Sequence, residues 1–439
     1  LARVARRNID QWSVMTFALG VVPVVLLLLG FPIFLVLLSA VSIALVFYMH
    51  LPLAALHQNL FGSINAYALL AIPYFIYAGE LMGRGTVARR LVNLVQDGVG
   101  SLRGSLGVTT VGVATIFGAI SGVSAAAVAT IGKIMYPSMV NAGYPASFAA
   151  GLITAVGAID IIIPPSIPMI VYGAAAQESV PRLYAAGIVP GLLLALVIAA
   201  YVVWRAKREG FGRGQQFNAG RFWQSTRRSV WALGAPAIIL GGIYGGVFSP
   251  TEAAAVACAY AVFVTMVIFR ELSLLDILDA AVAAVRFTAQ ILVIVACAGV
   301  FAWLLTVNQV PATLVSWIKD LGVSPWQFLL VVNILLLIVG CFLDPLSAIL
   351  LLTPLLVPIA KALGIDTVHF GIIFMVNLAI GLFHPPFGIN IFVAQSVLNI
   401  RLETIYRGII SFVVLYLIVL ALITYVPSIS LVAVRLLFN

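Results

Sequence analysis

The residues best placed to do chemistry in this chain sit around two tandem proline pairs. Pro164-Pro165 closes the run AAGLITAVGAIDIIIPP, and Pro385-Pro386 closes GIIFMVNLAIGLFHPP. The pairs are 385 − 164 = 221 residues apart, and Pro137 with Pro358 and Gly143 with Gly364 keep the same offset. A proline removes a backbone donor and clashes with the preceding turn, so a tandem pair inside an apolar run breaks the helix. In a bilayer the freed carbonyls and amides must find partners. Helices broken at matching points of two halves point to a transporter's midplane binding site.

Polar residues cluster in register with these breaks. In the first half they are Ser121-Gly122-Val123-Ser124, followed by Ser166 just after the prolines; in the second they are Asp344, Gly381 and Asn390. Hydroxyls, carboxylates and backbone carbonyls suit a hard cation such as sodium. The N-terminal ends of half-helices favour anions, and the C-terminal ends favour cations. Serine and glycine serve tight helix packing equally well, and Asp344 also reads as a helix cap. His384, directly before Pro385, could bind substrate, carry a proton or satisfy freed carbonyls. Asp160 stands four residues before Pro164, where the second half has Gly381. An ionisable residue inside a membrane is a functional candidate by default. With Asn390 and the four prolines, Asp160 is assigned to substrate contact or gating, and Ser121, Gly122, Ser124, Ser166, Asp344, Gly381 and His384 to cation coupling. Lys133, Glu80 and Glu252 read as capping or anchoring residues.

Other signals carry less. Cys258, Cys297 and Cys341 lie in apolar segments without metal or redox spacing and read as small buried hydrophobes. His50, His57 and His369 lie at segment ends, where interfacial packing is the sober reading. The string GFGRGQ has no preceding strand, so it is not a phosphate loop. With no nucleophile–base pair, paired metal ligands or ATP-binding loop, an enzyme or an ATP-driven pump is disfavoured. Ion-gradient coupling remains.

The elements that must position these residues follow from composition. The chain has 439 residues, of which 63% are hydrophobic and 8% charged, against roughly 25% charged in a soluble protein. Mean hydropathy is +1.18. The chain therefore reads as an all-α polytopic membrane protein. Its net charge of +9 sits in short connectors and marks topology rather than a nucleic-acid partner.

At about 20 residues per crossing, the first half offers spans near 13–29, 32–49, 64–82, 146–176 and 183–204. The second offers 230–247, 252–269, 286–306, 367–396 and 405–426. Arg3, Arg6 and Arg7 before the first span resemble a signal peptide, but no cleavage site follows, so a retained span is expected. Residue 1 is Leu, and the true start is read as lying upstream. Each half also holds an apolar block too long for one crossing, 104–141 and 325–362, interrupted by GAISGVSAA and GCFLDPLSA. Re-entrant hairpins of two half-helices fit these lengths, each pairing with the broken helix of its own half. Amphipathic stretches at 87–102 and 311–322, with another at 51–63, read as interfacial arms.

Five crossings per half is an odd number, which requires the halves, 1–228 and 229–439, to be inverted. The positive-inside rule agrees. Placing the basic connector 205–228 in the cytoplasm also puts Arg84, Arg89, Arg90, Arg103, Arg270, Arg286, Arg401 and Arg407 there. Connectors assigned outside carry only Arg182, Lys319 and Lys361, with Arg3, Arg6 and Arg7 the exception.

The strings FGAISGVSAAAVATIGKIMYPSMVNAGYPASFAAG (117–151), IIIPPSIPMIVYG (161–173), FLDPLSAILLLTPLLVPIAKALGIDTVHFGII (342–373) and GLFHPPFGINIFVAQ (381–395) carry a resemblance. They resemble the large, DctM-like membrane subunit of tripartite ATP-independent periplasmic (TRAP) transporters over almost the full chain. The resemblance implies a multi-pass protein of the bacterial inner membrane and an elevator-type importer. In it, both hairpins and both broken helices slide against a scaffold of the remaining spans. It also implies a small four-helix membrane subunit, a periplasmic substrate-binding protein, an organic-acid substrate and sodium as the coupling ion. No other cofactor is implied. The family's sodium sites fall here on Ser121, Ser124, Asp344, Gly381, His384 and Phe387. Two positions depart from the family pattern: His384 stands for a threonine, and Asp160 for a glycine. Proton coupling through these two residues is the alternative they raise. A related symporter architecture that needs no binding protein is the rival reading of the whole chain.

Overall fold

The computed structural model describes residues 21–49, 53–212, 214 and 216–438. His50, Arg3, Arg6, Arg7 and the start of the first expected span lie outside these residues. Among those described, every regular element is helical. Among the described residues, five helices are long and apolar enough to cross a bilayer, or six if a bent pair counts as one span.

Two helical hairpins stand where the interrupted blocks place them. The first joins Ser105–Ser121 to Ser124–Asn141, and the second joins Pro325–Gly340 to Pro345–Ala362. The first reverses at Gly122, whose φ of +61° is a left-handed conformation natural to glycine. The second reverses through Asp344, which caps its second limb. Limbs of 16 to 18 residues rise about 25 Å at 1.5 Å per residue. That falls just short of a hydrocarbon core of about 30 Å, and the limbs are longer than simple half-helices.

Both broken helices are present. Ala146–Val156 tightens into a 3-10 turn at Gly157–Ile161 and resumes as Ile167–Ala176; Thr367–Gly381 resumes as Ile389–Leu398. Both proline pairs are cis. Residues 148–173 and 367–383 are buried throughout, so the first break lies in the core, whereas the second, from His384 to Phe387, is half-buried to exposed.

The duplication runs through the whole element order: 345 − 124, 362 − 141 and 367 − 146 all equal 221. One pair of counterparts differs in shape. The second half has a single 34-residue helix, Leu274–Val307, whereas its counterpart is interrupted at Asn65-Ala66 and bent by 62°.

Three expectations need correction. Each hairpin does meet its own half's break at the tip, but its second limb also packs on the other half. Ser124–Asn141 lies against Ile389–Leu398, and Pro345–Ala362 against Ile167–Ala176. The last long helix of each half also packs away from the scaffold: Val180–Glu209 lies on the C-terminal helix Ser428–Phe438, the first hairpin and both broken helices, and Leu402–Tyr425 chiefly on Ala146–Val156. The connector 205–228 is mostly helix: Val180–Glu209 runs into it and Ala219–Tyr244 begins within it. Arg205, Lys207 and Arg208 therefore occupy a helix's last turns, where long side chains reach the interface.

The expected arms are Val87–Val99 and Val310–Asp320, and Leu53–Ile64 forms a third helix. The first arm buries Val87, Ala88, Leu91, Val92 and Leu94 along one stripe. Its start is held by Glu271, which accepts from the Thr86 amide at 2.7 Å and pairs with Arg90 at 3.1 Å. Partial burial pushes the Glu271 carboxyl up, but bonds from Thr86 and Arg90 outweigh it and hold it below the ordinary range.

The two halves touch closely where Ala146–Val156 crosses Leu402–Tyr425. A Cβ on Gly408 would lie 1.9 Å from the Ser147 carbonyl oxygen, and one on Gly151 would lie 2.3 Å from the Gly408 carbonyl carbon. Small residues at such a crossing let two backbones meet. Gly408→Leu is therefore expected to cost at least about 1–3 kcal/mol through overpacking. Gly241→Leu, which faces open space, should leave stability unchanged. Thermal unfolding in detergent reads both.

Candidate functional site

Breaking a helix frees a carbonyl, and the two halves satisfy equivalent carbonyls differently. In the first half the Ser166 hydroxyl donates to the Ile161 carbonyl at 2.7 Å. Its counterpart carbonyl, at 161 + 221 = 382, accepts the backbone amide of Asn390 at 2.9 Å. Phe387 occupies the position equivalent to Ser166, since 166 + 221 = 387; it is 55% exposed and lies against Phe342 with ring centroids 5.8 Å apart.

In the first half the hairpin tip sits on this break. A Cβ on Gly122 would lie 3.2 Å from the Pro165 carbonyl oxygen. Ser121 ends the first limb, and its hydroxyl accepts the Val123 amide at 3.3 Å. Its backbone lies against the scaffold helix Ala71–Arg84, where a Cβ on Gly79 would come within 2.9 Å of the Ser121 carbonyl oxygen. The Ser124 hydroxyl donates to the Gly157 carbonyl at 2.7 Å and accepts from Asn390 Nδ2 at 2.8 Å. The same amide reaches the Thr154 carbonyl at 3.3 Å. Asn390 belongs to the second half, so one buried side chain ties a hairpin tip to the opposite broken helix. Asp160 is fully buried beside Gly118, and neither carboxyl oxygen has a protein hydrogen-bond partner.

In the second half Asp344 accepts the amides of Leu346 and Ser347 at 3.1 Å each, and the Ser347 hydroxyl bonds its other oxygen. Geometry supports the cap reading, yet the half-buried carboxylate still borders the central cavity. Gly381 packs on Gly340, where a Cβ would lie 2.6 Å from the Gly340 carbonyl oxygen. His384 Nδ1 lies 3.2 Å from Cys341 Sγ, which joins hairpin to break. Pro386 accepts from the Tyr406 hydroxyl at 3.0 Å.

Both tips open onto one cavity of about 300 Å³. Ser124, Ile167, Pro345 and Ile389, the first residues of four half-helices, all line it. Three of these four N-termini have no side-chain cap, the exception being the one capped by Asp344. The aligned peptide dipoles of these ends favour an anion, although the Asn390 amide is already given to the Leu382 carbonyl and Pro168 and Pro345 carry no N–H. Among the described residues, Asp344 is the only charged one on the wall.

The structure thus gathers Ser124, Gly122, Asp344 and Asn390 on one cavity. It places Gly381 and Phe387 on a smaller neighbouring one and leaves Asp160 and Ser166 buried behind. Sequence reasoning missed the opposite wall, formed by Phe287, Gln290 and Ile291 of Leu274–Val307. A glutamine inside an apolar helix was the available signal. It also read Cys341 as an inert hydrophobe, whereas the thiol meets His384.

Comparison with known proteins agrees with this fold. Residues 21–429 match the family described as Tripartite ATP-independent periplasmic transporter, DctM component. The chain is 43% identical over 375 residues to the C4-dicarboxylate TRAP transporter large permease protein DctM of Pseudomonas aeruginosa, covering 85% of this chain and 87% of that one. It is 43% identical over 380 residues to the isethionate TRAP transporter permease protein DctMQ of Oleidesulfovibrio alaskensis, covering 86% of this chain but 60% of that longer relative. In structure it is similar to the YdaH transporter of Alcanivorax borkumensis, with a TM-score of 0.63, 15% identity and coverage of 85% and 88%. On these matches the chain is a multi-pass membrane protein and belongs to the DctM component family of TRAP transporters.

Proposed function

We propose that the chain is the large transmembrane subunit of a binding-protein-dependent transporter that imports an organic acid, a carboxylate, down a sodium gradient. The observation that carries this reading is the convergence of four half-helix N-termini, three uncapped, on one cavity between the hairpin tips. Such a site attracts one anionic group without any basic side chain. The coupling cation is assigned to the tips themselves, with Asp344 supplying charge and Ser121, Ser124 and the freed carbonyls supplying oxygen.

The halves 1–228 and 229–439 are read as inverted repeats in the bacterial inner membrane. The hairpins, broken helices and last long helix of each half would move together as an elevator against the remaining helices. Close glycine contacts, such as Gly79 against Ser121, support a smooth sliding face. Large permeases of this family work with a small permease and a periplasmic binding protein. Leu274, Leu275, Leu278, Val282 and Val285 form an exposed apolar stripe on the scaffold helix. That stripe suits the small subunit or lipid.

Reconstitution with both partners tests the reading. Vesicles should accumulate the organic acid under an inward sodium gradient, and omission of the binding protein should abolish uptake. Accumulation without it would favour a self-sufficient symporter, and uptake indifferent to sodium would remove the coupling ion. Asn caps a helix about as well as Asp, so Asp344→Asn should leave unfolding temperature nearly unchanged. Loss of the charge should raise the sodium concentration for half-maximal uptake at least about tenfold, or about 1.4 kcal/mol. An unchanged sodium requirement would leave Asp344 as a cap only.

Asn390→Leu removes the tie between the halves. It should cost about 1–3 kcal/mol for the unpaired buried groups, read by thermal unfolding, and reduce uptake more than Asp344→Asn does at saturating sodium.

A further inference from the structure

Asp160 is the only acidic side chain among the described residues that is fully buried, and both of its oxygens lack a protein partner. It stands in the 3-10 turn just before the first proline pair, at the centre of the buried core. Its carboxyl fills the space that Gly118 leaves on the first hairpin. A Cβ on Gly118 would lie 2.4 Å from Asp160 Oδ1 and 3.0 Å from its Cα. The hairpin is therefore the lid over this carboxyl.

The groups on the elements packed around it do not neutralise it. Tyr416 faces Asp160 electrostatically, but its hydroxyl is committed to the Ala155 carbonyl at 2.7 Å. His369 is turned to Ser430 at 2.7 Å and the Thr424 carbonyl at 3.3 Å, and Tyr172 to the Thr367 carbonyl at 2.8 Å. Tyr184 is buried in the same core without a hydrogen-bond partner for its hydroxyl, and it carries no charge to offset a carboxylate. Lys133 is exposed, and no ion pair among the described residues includes Asp160. An isolated buried carboxylate costs several kcal/mol, far more than the neutral acid. The second half has Gly381 at the equivalent position, so the feature belongs to one half only.

We propose that Asp160 is a proton-binding site of the transport cycle. It holds a proton while the first hairpin is seated on it, as here, and gives that proton to water when the hairpin lifts. The proton is taken from water on one side of the membrane and released on the other, in addition to any cation at the tips. The cycle part rests on the transport reading above, whereas the bound proton does not.

Two measurements separate them. Infrared spectra of the full chain in lipid at neutral pH should show the carbonyl stretch of a protonated, water-shielded carboxyl, shifted in heavy water and absent from Asp160→Asn. Absence of any Asp160-dependent band, or its replacement by a carboxylate band that responds to sodium, would overturn the site. In vesicles, wild-type uptake should carry protons with substrate. Asp160→Gly, which copies the residue of the second half, and Asp160→Asn should lose that proton flux while still exchanging substrate. Proton flux that persists in both exchanging variants would overturn the coupling role. Failure of the wild type to move substrate while the band is present would sink the transport reading and the cycle role, and confirm the bound proton.

Discussion

Everything at the centre of this molecule depends on one constraint: a backbone carbonyl freed inside a membrane must be given a donor by the protein itself. The carbonyls of Ile161 and Leu382 are the same position in two copies of one motif. One is satisfied by a serine hydroxyl five residues on, the other by the backbone amide of Asn390. This difference releases the other residues for separate tasks. With its amide nitrogen on Leu382, Asn390 can turn its side chain across to Ser124. With no hydroxyl needed at 387, a phenylalanine can stand there against Phe342. The asymmetry of the site follows from two solutions to one problem of backbone pairing.

Breaks, hairpins and arms were legible because each leaves a local mark. Proline pairs, glycine and serine at a turn, and amphipathic stripes act on the few residues around them. Partners across the halves leave no such mark. Nothing in the spacing around Asn390 says that its amide will meet Ser124, 266 residues away. Nothing in the run 402–425 says that Gly408 will be the place where Ser147 and Gly151 make contact. The last long helix of each half reads from sequence as one more span, and only its neighbours show that it packs on the broken helices. Single-residue chemistry was half legible. Asp344 was seen both as a cap and as a charge at a tip; the structure shows the cap and sets the carboxylate beside the cavity. The partner of Cys341 was hidden because nothing in the spacing shows that His384 will lie beside it.

The bend at Asn65-Ala66 shows the same limit. Its counterpart in the second half lies inside one continuous helix that presents Phe287, Gln290 and Ile291 to the cavity. One copy therefore walls the central cavity, while the other packs on the first tip through Gly79 against Ser121. The scaffold is not symmetric about the tips, although the offset of 221 residues persists on both sides of the bend. Duplication fixes the order of elements and leaves their curvature to local packing.

An anion site made of helix ends differs in kind from one made of arginines. Peptide dipoles cannot be removed by protonation or moved by a rotamer change, and their attraction fades within about a turn of the helix end. On the proposed reading, a substrate's charge would be held only while all four helix ends point at it, which requires both hairpins to be seated. A carboxylate at the cap of one of those helices opposes an incoming anion until a cation sits beside it. Binding of anion and cation at such a place is cooperative by electrostatics alone, because each removes the repulsion or exposed charge that disfavours the other. On that reading the arrangement would link the two solutes at the tips without a conformational relay between distant sites. The Ser124–Asn390 tie keeps the two halves of that arrangement in register.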